Sequence, residues 1–205
     1  MIIYKFGGSV LQEKQRVFDI IKDGLEEHKK IIVVVSAIGR IFSPYSTDTL
    51  YSMCKYTSEK EKNRIVACGE IISSVLVSDM LNEKGVKAVA LSLYEMNLVY
   101  DNNEFQMNDF LTSCLCEYDV VIIPGFIGLK NNEIILLPRG GSNITASFLA
   151  SYYNAQLVIF TDVNGLYLKD PKQYCNLSKL FLSSINSLTS VFVNLYNCNV
   201  TIASA

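Results

Sequence analysis

The residues best suited to chemistry lie in short polar segments that each follow an apolar run. Residues 138–146 read Pro-Arg-Gly-Gly-Ser-Asn-Ile-Thr-Ala. Arg139 can bind a carboxylate or a phosphate with its planar guanidinium, and the two adjacent glycines let the backbone approach a ligand closely. Ser142 or Asn143 can cap the helix that follows, whose N-terminus favours an anion. This segment therefore predicts an anion-binding site.

A second glycine pair follows the first apolar run, in the segment Lys5-Phe6-Gly7-Gly8-Ser9. Glycines in a turn between a strand and a helix expose backbone N–H groups to phosphate oxygens. Lys5 stands at the end of the predicted strand, where its charge could neutralise a phosphoryl group in transfer. The spacing is neither that of the Walker P-loop nor that of the dinucleotide-binding Gly-x-Gly-x-x-Gly motif. Taken alone, the pair also fits an ordinary tight turn.

Apolar runs alternate with amphipathic stretches along the chain, which predicts a mostly parallel sheet covered by helices. Strands are predicted at residues 1–6, 31–35, 86–91, 119–124, 133–137, 157–160 and 198–203. Helices are predicted at residues 10–30, 58–83, 110–116, 145–154 and 184–195, with a loop at 40–49 and a hairpin at 95–108. Polar or glycine-rich loops follow four strands, at 7–9, 36–39, 125–128 and 161–165. Because ligands bind at the carboxyl ends of strands in open α/β sheets, these loops favour a nucleotide and a second substrate side by side.

Composition narrows the class of protein. The chain has 205 residues, half of them hydrophobic, which suits one folded domain. A formal net charge of −2 gives no general attraction to nucleic acid or to an anionic membrane, so any anion site must be local. We expect no transmembrane helix, and no secretory signal because Lys5 and a glycine pair interrupt the first apolar run. A cytoplasmic location is therefore expected.

The cysteines give little sign of a metal site. There are six of them and a single histidine, His28, and no Cys-x-x-Cys pair occurs. Zinc needs four close ligands, so the Cys114-x-Cys116 pair alone is weak evidence for it. We expect the cysteines to be small buried apolar residues in a reducing compartment.

Read in order, the loop segments resemble the motifs of the amino acid kinase superfamily. The matching segments are Lys5-Phe6-Gly7-Gly8-Ser9, Val34-Val35-Ser36-Ala37, Gly69-Glu70, Gly125-Phe126-Ile127-Gly128, Arg139-Gly140-Gly141-Ser142 and Thr161-Asp162-Val163-Asn164-Gly165-Leu166-Tyr167. Within that superfamily, Phe6, the Gly-Glu pair and the Arg-Gly-Gly-Ser run resemble aspartate kinase. The similarity runs over roughly residues 2–172, and six motifs in order are far more specific than any one alone.

The resemblance implies a three-layer α/β/α sandwich with a mostly parallel central sheet, formed by one domain over residues 1–205. Acceptor binding would fall in about residues 1–135 and nucleotide binding in about 136–205. The implied reaction transfers the γ-phosphate of ATP to the β-carboxylate of L-aspartate with Mg²⁺, the first step of lysine, threonine and methionine biosynthesis. The resemblance is to the catalytic domain without the regulatory ACT domains. It favours a homodimer and leaves open a separate regulatory subunit.

The resemblance also assigns roles to residues. Lys5 and Asn143 occupy catalytic positions. The nucleotide site would contain Lys5, Gly7, Gly8, Ser9, Thr161, Asp162, Tyr167 and Lys172. The aspartate site would contain Ser36, Thr47, Glu70, Arg139 and Ser142. An amino acid acceptor needs one anionic and one cationic contact, and Glu70 and Arg139 supply both. Their alternative interpretation is that of solvated surface charges, and Asp162 also fits ordinary turn chemistry.

Three positions depart from the aspartate kinase pattern. Asn143 stands where the family has aspartate, so the shape is kept but the negative charge is lost. Lys172 replaces an arginine, and Asn199 aligns with a lysine. These differences leave two alternatives open: a kinase-fold binding or regulatory protein with impaired catalysis, or a kinase for a different small carboxylate acceptor.

Overall fold

The computed structural model describes residues 1–40, 42–138, 140–161 and 200–204. The strands are β1 Ile2–Phe6, β2 Ile31–Val35, β3 Ala88–Ala90, β4 Val99–Asp101, β5 Glu104–Gln106, β6 Val120–Pro124, β7 Ile127–Lys130, β8 Glu133–Leu136, β9 Gln156–Thr161 and β10 Val200–Ser204. The helices are α1 Lys14–Glu27, α2 Thr47–Met53, α3 Glu59–Glu83, α4 Leu93–Met96, α5 Phe110–Glu117 and α6 Gly141–Tyr152, with a 3₁₀ turn at Val10–Gln12.

A parallel sheet forms the centre of the fold. Its six strands lie in the order β10-β9-β1-β2-β6-β3, and every neighbouring pair is parallel. The uninterrupted apolar runs in β2 and β6 are buried along their whole length, as expected for central strands covered on both faces. The expected α/β architecture with a mostly parallel central sheet is confirmed.

Alternation along the strands divides the core into two clusters, one on each side of this sheet. Ile3, Ile32 and Val34 belong to the cluster that α5 and α6 cover, whereas Ile31 and Val33 belong to the cluster beneath α1 and the end of α3. Successive strand residues point to opposite faces, which explains why neighbours in sequence enter different clusters. This arrangement gives the helix, sheet and helix layers.

A second, smaller sheet packs beside the first and has the order β5-β4-β7-β8. The hairpin expected over residues 95–108 is present as β4 and β5, preceded by α4 with a capping box between Ser92 and Glu95. Strand β7 was not expected, because the sequence pattern there was interpreted as a glycine-rich loop. It pairs in antiparallel fashion with β8 and continues the chain from the end of β6.

Several element bounds differ from the sequence prediction. The helix expected over 10–30 is divided at Glu13, whose φ of −92° and ψ of 65° interrupt helical geometry. Helix α2 begins inside the predicted loop 40–49, because Ser46 caps it by accepting a hydrogen bond from the Thr49 N–H. Helix α6 begins at Gly141 with Gly140 as its cap, so neither Ser142 nor Asn143 is the cap residue. The helix expected over 184–195 lies outside the described residues.

Helix α3 differs from the expectation that no segment of the chain has the length and apolar composition of a transmembrane helix. Within the described residues it is the one helix long and apolar enough to cross a membrane, with a mean hydropathy of 1.5 over its most apolar window. More than half of that window, 56%, is buried inside the fold. Because the core helix of a soluble protein meets the same criterion, this is weak evidence for a membrane span.

Candidate active site

A cleft of about 540 Å³ opens at the carboxyl ends of β1, β2 and β6. Its lining residues are Lys5, Ser36, Thr47, Glu70, Phe126, Leu136, Leu137, Gly140, Gly141, Ser142 and Asn143. Six of these were assigned to the site from the sequence: Lys5, Ser36, Thr47, Glu70, Ser142 and Asn143. They come from separate segments of the chain, and the parallel topology brings them together because the strands end at the same edge.

Lys5 supplies a half-buried cation to the cleft. It lies in the middle of the sheet, opposite Val34 of β2 and Ile159 of β9. Burial lowers the pKa of its ammonium to about 8, because the charged form loses hydration. A Cβ placed on Gly7 would lie 3.9 Å from the Lys5 Nζ, so the ammonium sits beside the glycine turn that follows β1. Lys5 can therefore attract an anion bound over that turn.

Glu70 supplies a buried carboxyl group of the same cleft. It lies on α3 and is 1% exposed. Its Oε1 accepts a hydrogen bond of 3.3 Å from the Ala37 N–H, and its Oε2 has no hydrogen-bond partner among the described residues. Burial raises the pKa of Glu70 to about 8, although the hydrogen bond from Ala37 opposes that rise. A buried carboxyl group with one free oxygen is suited to bind a cationic group of a ligand.

The loops after β2 and β6 hold the first turn of α6 in place. The Ser36 hydroxyl donates a hydrogen bond of 3.0 Å to the Ser142 hydroxyl. A Cβ on Gly125 would approach the Ser142 Cβ to 2.8 Å, which is closer than such atoms come. Glycine at position 125 therefore allows α6 to begin against the end of β6, and this sets the position of Ser142 in the cleft.

The N-terminus of α6 faces the cleft without a capping side chain. Gly140 takes a left-handed conformation, with a φ of 82°, and its carbonyl accepts a hydrogen bond of 2.8 Å from the Asn143 N–H. The first turn carries no acidic residue. The Asn143 Oδ1 is buried and finds no hydrogen-bond partner in the part of the chain that the structure describes. The helix end thus offers N–H groups and a positive dipole to an anion, with an unpaired amide beside them.

The remaining predicted residues lie around this cleft or outside the described residues. Gly7, Gly8 and Ser9 follow β1 at the same sheet edge, and the Gly7 N–H donates to the Phe160 carbonyl at 3.1 Å. Thr161 is the last residue of β9, the strand next to β1. None of these four is among the residues that line the cleft. Arg139, Asp162, Tyr167 and Lys172 fall outside the described residues.

Three apolar residues of the cleft were not assigned to the site from the sequence: Phe126, Leu136 and Leu137. Phe126 has a φ of 64°, which is unusual for a residue with a bulky side chain. Its carbonyl accepts a hydrogen bond of 2.8 Å from the Leu137 N–H. The sequence feature that could have indicated Phe126 is an aromatic residue between two glycines after a buried strand. These side chains exclude water from one wall of the cleft.

The described residues do not assemble a metal centre of their own. No group of three or more His, Cys, Asp or Glu side chains in that part of the chain could hold a metal ion. Four of the cysteines are free thiols there, and they vary in exposure: Cys114 is buried, Cys54 is half-buried, and Cys68 and Cys116 are exposed. The expectation that the cysteines are buried apolar residues is therefore wrong for Cys68 and Cys116.

Comparison with known proteins settles the family. The model of the amino acid kinase family matches residues 1–194. The chain belongs to the amino acid kinase family. Among curated relatives, this amino acid kinase is 35% identical to aspartokinase 1 of Bacillus subtilis (strain 168), over 84% of this chain and 46% of the relative. It is 34% identical to the aspartokinase of Geobacillus stearothermophilus, over 84% of this chain and 45% of the relative.

Solved structures agree on the fold of this amino acid kinase. The aspartate kinase from Synechocystis matches 100% of the chain and 38% of that protein, with a TM-score of 0.76 and 26% identity. Aspartokinase III of E. coli in complex with aspartate and ADP matches 100% of the chain and 62% of that protein, with a TM-score of 0.72 and 19% identity. The chain spans about half the length of the curated relatives it matches.

Proposed function

We propose that this amino acid kinase transfers the γ-phosphoryl group of ATP to the β-carboxylate of L-aspartate and forms 4-phospho-L-aspartate. The observation that carries the proposal is the cleft in which Lys5, Glu70 and Ser142 meet, although 137 positions separate Lys5 from Ser142 in sequence. Relatives named aspartokinases support aspartate as the acceptor. The structure of one similar aspartokinase was solved in complex with aspartate and ADP.

An acceptor with both an ammonium and carboxylates matches the charges around the cleft. The free Oε2 of Glu70 would accept hydrogen bonds from the α-ammonium, which would favour the ionised carboxylate. Ser36, Thr47 and Ser142 offer hydroxyl donors to the acceptor. Arg139 directly precedes Gly140, the cap of α6, and we assign it to a carboxylate of aspartate.

Phosphoryl transfer in this cleft would depend on positioning and charge. The Lys5 ammonium would stabilise charge on the moving phosphoryl group, together with the N–H groups at the start of α6. We assign Gly7, Gly8 and Ser9 to the phosphates of ATP, because they follow β1 beside Lys5. Thr161, Asp162, Tyr167 and Lys172 are assigned to the remainder of the nucleotide.

Asn143 would orient the reacting groups as a neutral amide. Its buried Oδ1 has no partner within the described residues, so it can accept a hydrogen bond from Lys5 or from the substrate. Mg²⁺ bound with ATP would supply further neutralisation of the phosphate charge.

The proposed reaction also implies a division of the domain, a cellular location and partners for this chain. One domain would bind the acceptor with about residues 1–135 and the nucleotide with about residues 136–205. We expect a cytoplasmic enzyme that forms a homodimer, and a separate regulatory subunit is left open.

A coupled assay of ADP release with aspartate, ATP and Mg²⁺ tests the reaction. We expect turnover in the parent chain and a loss of kcat of about 100-fold or more for Lys5→Ala, which removes the positive charge from the cleft. Lys22→Ala, at an exposed position on α1, is the matched control and should keep full activity.

The same assay distinguishes the alternatives. Turnover no higher than that of Lys5→Ala would overturn the proposed activity. If calorimetry then detected aspartate or nucleotide binding, the chain would be a binding protein with impaired catalysis. Faster turnover with another small carboxylate than with aspartate would instead reassign the acceptor.

A further inference from the structure

Helix α3 carries a second buried polar side chain, Ser73, on the face that bears Glu70. Ser73 is 1% exposed and follows Glu70 by three residues, which places the two side chains next to each other on the helix. Its hydroxyl donates a hydrogen bond of 2.7 Å to the Gly69 carbonyl and accepts one of 2.8 Å from the Ile38 N–H. The first bond is a common one for a serine within a helix, whereas the second joins α3 to a different segment of the chain.

That segment is the loop of residues 36–39, which follows β2 and which we call the β2 loop. Two successive N–H groups attach it to α3, since the Ala37 N–H donates to the Glu70 Oε1 at 3.3 Å and the Ile38 N–H donates to the Ser73 hydroxyl. Glu70 lines the cleft and Ser73 does not. Ser73 can therefore hold the β2 loop while Glu70 exchanges one partner for another.

The β2 loop contacts both halves of the proposed site. On the acceptor side, the Ser36 hydroxyl donates to the Ser142 hydroxyl at 3.0 Å. On the phosphate side, the Gly39 N–H donates to the Gly8 carbonyl at 2.8 Å. A Cβ on Gly8 would lie 2.1 Å from the Ala37 carbonyl oxygen, so the glycine turn and the β2 loop touch without room for a side chain. A shift of this loop would therefore disturb both halves together.

We propose that Ser73 is a positioning residue, whose hydrogen bond to the Ile38 N–H holds the β2 loop against the glycine turn after β1 and against Ser142. The inference rests on the proposed function, because the two halves must be aligned only if a phosphoryl group passes between them. Ser73 acts through the loop rather than on a substrate. Since transfer requires the reacting groups to be held in a narrow range of geometry, loss of this hydroxyl should affect both substrates and kcat.

The next residue of α3 provides a matched control. Ser74 is 2% exposed, and its hydroxyl donates at 2.8 Å to the Ile71 carbonyl of its own helix. It borders a different hollow, beside Leu91 and Pro124. Ser73→Ala and Ser74→Ala thus remove the same group from similarly buried positions of one helix. A general loss of helix stability would appear in both variants, whereas displacement of the β2 loop is expected only in Ser73→Ala.

A pair of variants with one shape isolates the hydroxyl. Ser73→Thr keeps it and Ser73→Val replaces it with a methyl group, and the branch that both add can enter the small hollow that Ser73 borders with Ile38 and Leu76. In the ADP-release assay, Ser73→Val and Ser73→Ala should lower kcat about 10-fold and raise the KM of both aspartate and ATP about 3-fold or more. Ser73→Thr and Ser74→Ala should stay within about 2-fold of the parent chain.

Two further measurements need no turnover. Exchange of the Ile38 N–H hydrogen, followed by NMR, should be about 10-fold or more faster in Ser73→Val than in Ser73→Thr, because that N–H loses its acceptor. The Kd for ADP in calorimetry should be about 3-fold or more higher in Ser73→Val, because the glycine turn loses support. If the parent chain shows no turnover but both differences appear, the proposed reaction fails and the positioning role of Ser73 stands.

The comparison of Ser73→Val with Ser73→Thr also decides against the proposal where it is wrong. Equal exchange of the Ile38 N–H in the two variants overturns it, and so does an equal Kd for ADP. In a chain that turns over, a Ser73→Val variant that is less stable in urea but keeps the kcat and both KM values of the parent overturns it as well. A rise in the KM of aspartate alone would mean that the β2 loop does not position the phosphate side, which again overturns it.

Discussion

At the scale of single residues, the cleft is defined by two ionisable groups, half-buried Lys5 and buried Glu70, for which the described residues supply no ionic partner. Burial lowers the pKa of Lys5 to about 8 and raises that of Glu70 to about 8. Both shifts oppose the charged form, so the fold is destabilised by holding these groups ready for a ligand. Ionisable groups whose burial reduces the stability of the fold are typical of functional sites.

Stability should fall as the pH rises from about 5 to 8 because of Glu70. The folded chain holds the Glu70 proton up to a pKa of about 8, whereas the ordinary value is 4.5. Between those values the folded state binds more protons, so the free energy of unfolding decreases by up to about 1.4 kcal/mol per pH unit. Urea denaturation at pH 5, 6, 7 and 8 measures this decrease, and Glu70→Gln should flatten it.

An exposed carboxyl group on the same helix provides the control for that prediction. Glu83→Gln, near the end of α3, should keep the decrease of the parent chain. If the parent chain and Glu70→Gln showed the same dependence on pH, burial of an unpaired Glu70 carboxyl would be contradicted.

Restoring a carboxylate at position 143 should affect Lys5. Asn143→Asp places a negative charge in the same cleft, which should raise the pKa of the Lys5 ammonium above its value of about 8. We expect the high-pH limb of kcat/KM, measured in the ADP-release assay, to move up by about one pH unit. Asn143→Ala adds no charge and should leave that limb in place. An unchanged limb in Asn143→Asp would mean that residue 143 and Lys5 do not interact.

At the scale of elements, close packing around α3 determines the position of Glu70. Gly69 lies in the middle of this helix, where glycine is unfavourable by about 1 kcal/mol relative to alanine. A Cβ at this position would lie 2.6 Å from the Tyr45 carbonyl oxygen and 2.8 Å from the Ala37 Cβ. Glycine is therefore needed for contact between α3 and the loop after β2, which donates the Ala37 N–H to Glu70.

Gly69→Ala should destabilise the chain in spite of its better helix propensity. Displacing the loop is expected to cost about 1–3 kcal/mol, which exceeds the propensity gain of about 1 kcal/mol. The KM for aspartate should also rise, since the contact of Glu70 with the Ala37 N–H would be disturbed. Cys68→Ala, at the exposed neighbouring position, should be neutral in thermal and urea denaturation. A Gly69→Ala variant as stable as the parent would contradict the close contact of α3 with Tyr45 and Ala37.

At the scale of the whole molecule, parallel topology collects the site at one edge of the sheet. Strands β1, β2 and β6 are neighbours, and the loops after them form the cleft with α6. Ligands that bind there contact several elements at once, so their binding should stabilise the complete fold rather than one loop.

Aspartate and ADP together should raise the thermal unfolding temperature of the chain. At concentrations about 100 times their Kd, each is expected to add about 2.7 kcal/mol, which corresponds to a shift of roughly 5–10 °C. Succinate has both carboxylates but no ammonium, so it should give a much smaller shift if Glu70 binds that group. Equal shifts with succinate and aspartate would remove Glu70 from the proposed acceptor site.

Local sequence patterns were sufficient for the central strands and for most of the site. The uninterrupted apolar runs of β2 and β6 can be buried only between two layers, and ordered motifs placed Lys5, Glu70 and Ser142 at strand or helix ends. Membership of the amino acid kinase family followed from those motifs and was confirmed by the comparisons. These features depend on residue types and spacing, which a sequence displays directly.

The tertiary structure decided what depends on contacts between distant segments. Gly140 rather than Ser142 caps α6, because the loop after β6 packs against the first turn of that helix. The unpaired oxygens of Glu70 and Asn143 were not apparent from sequence, since hydrogen bonding depends on which backbone groups arrive nearby. The exposure of Ile71 and Val75 could also not be predicted from the sequence, because an apolar helix residue is normally expected in the core. Periodicity gives the faces of a helix, but only packing decides which face stays uncovered.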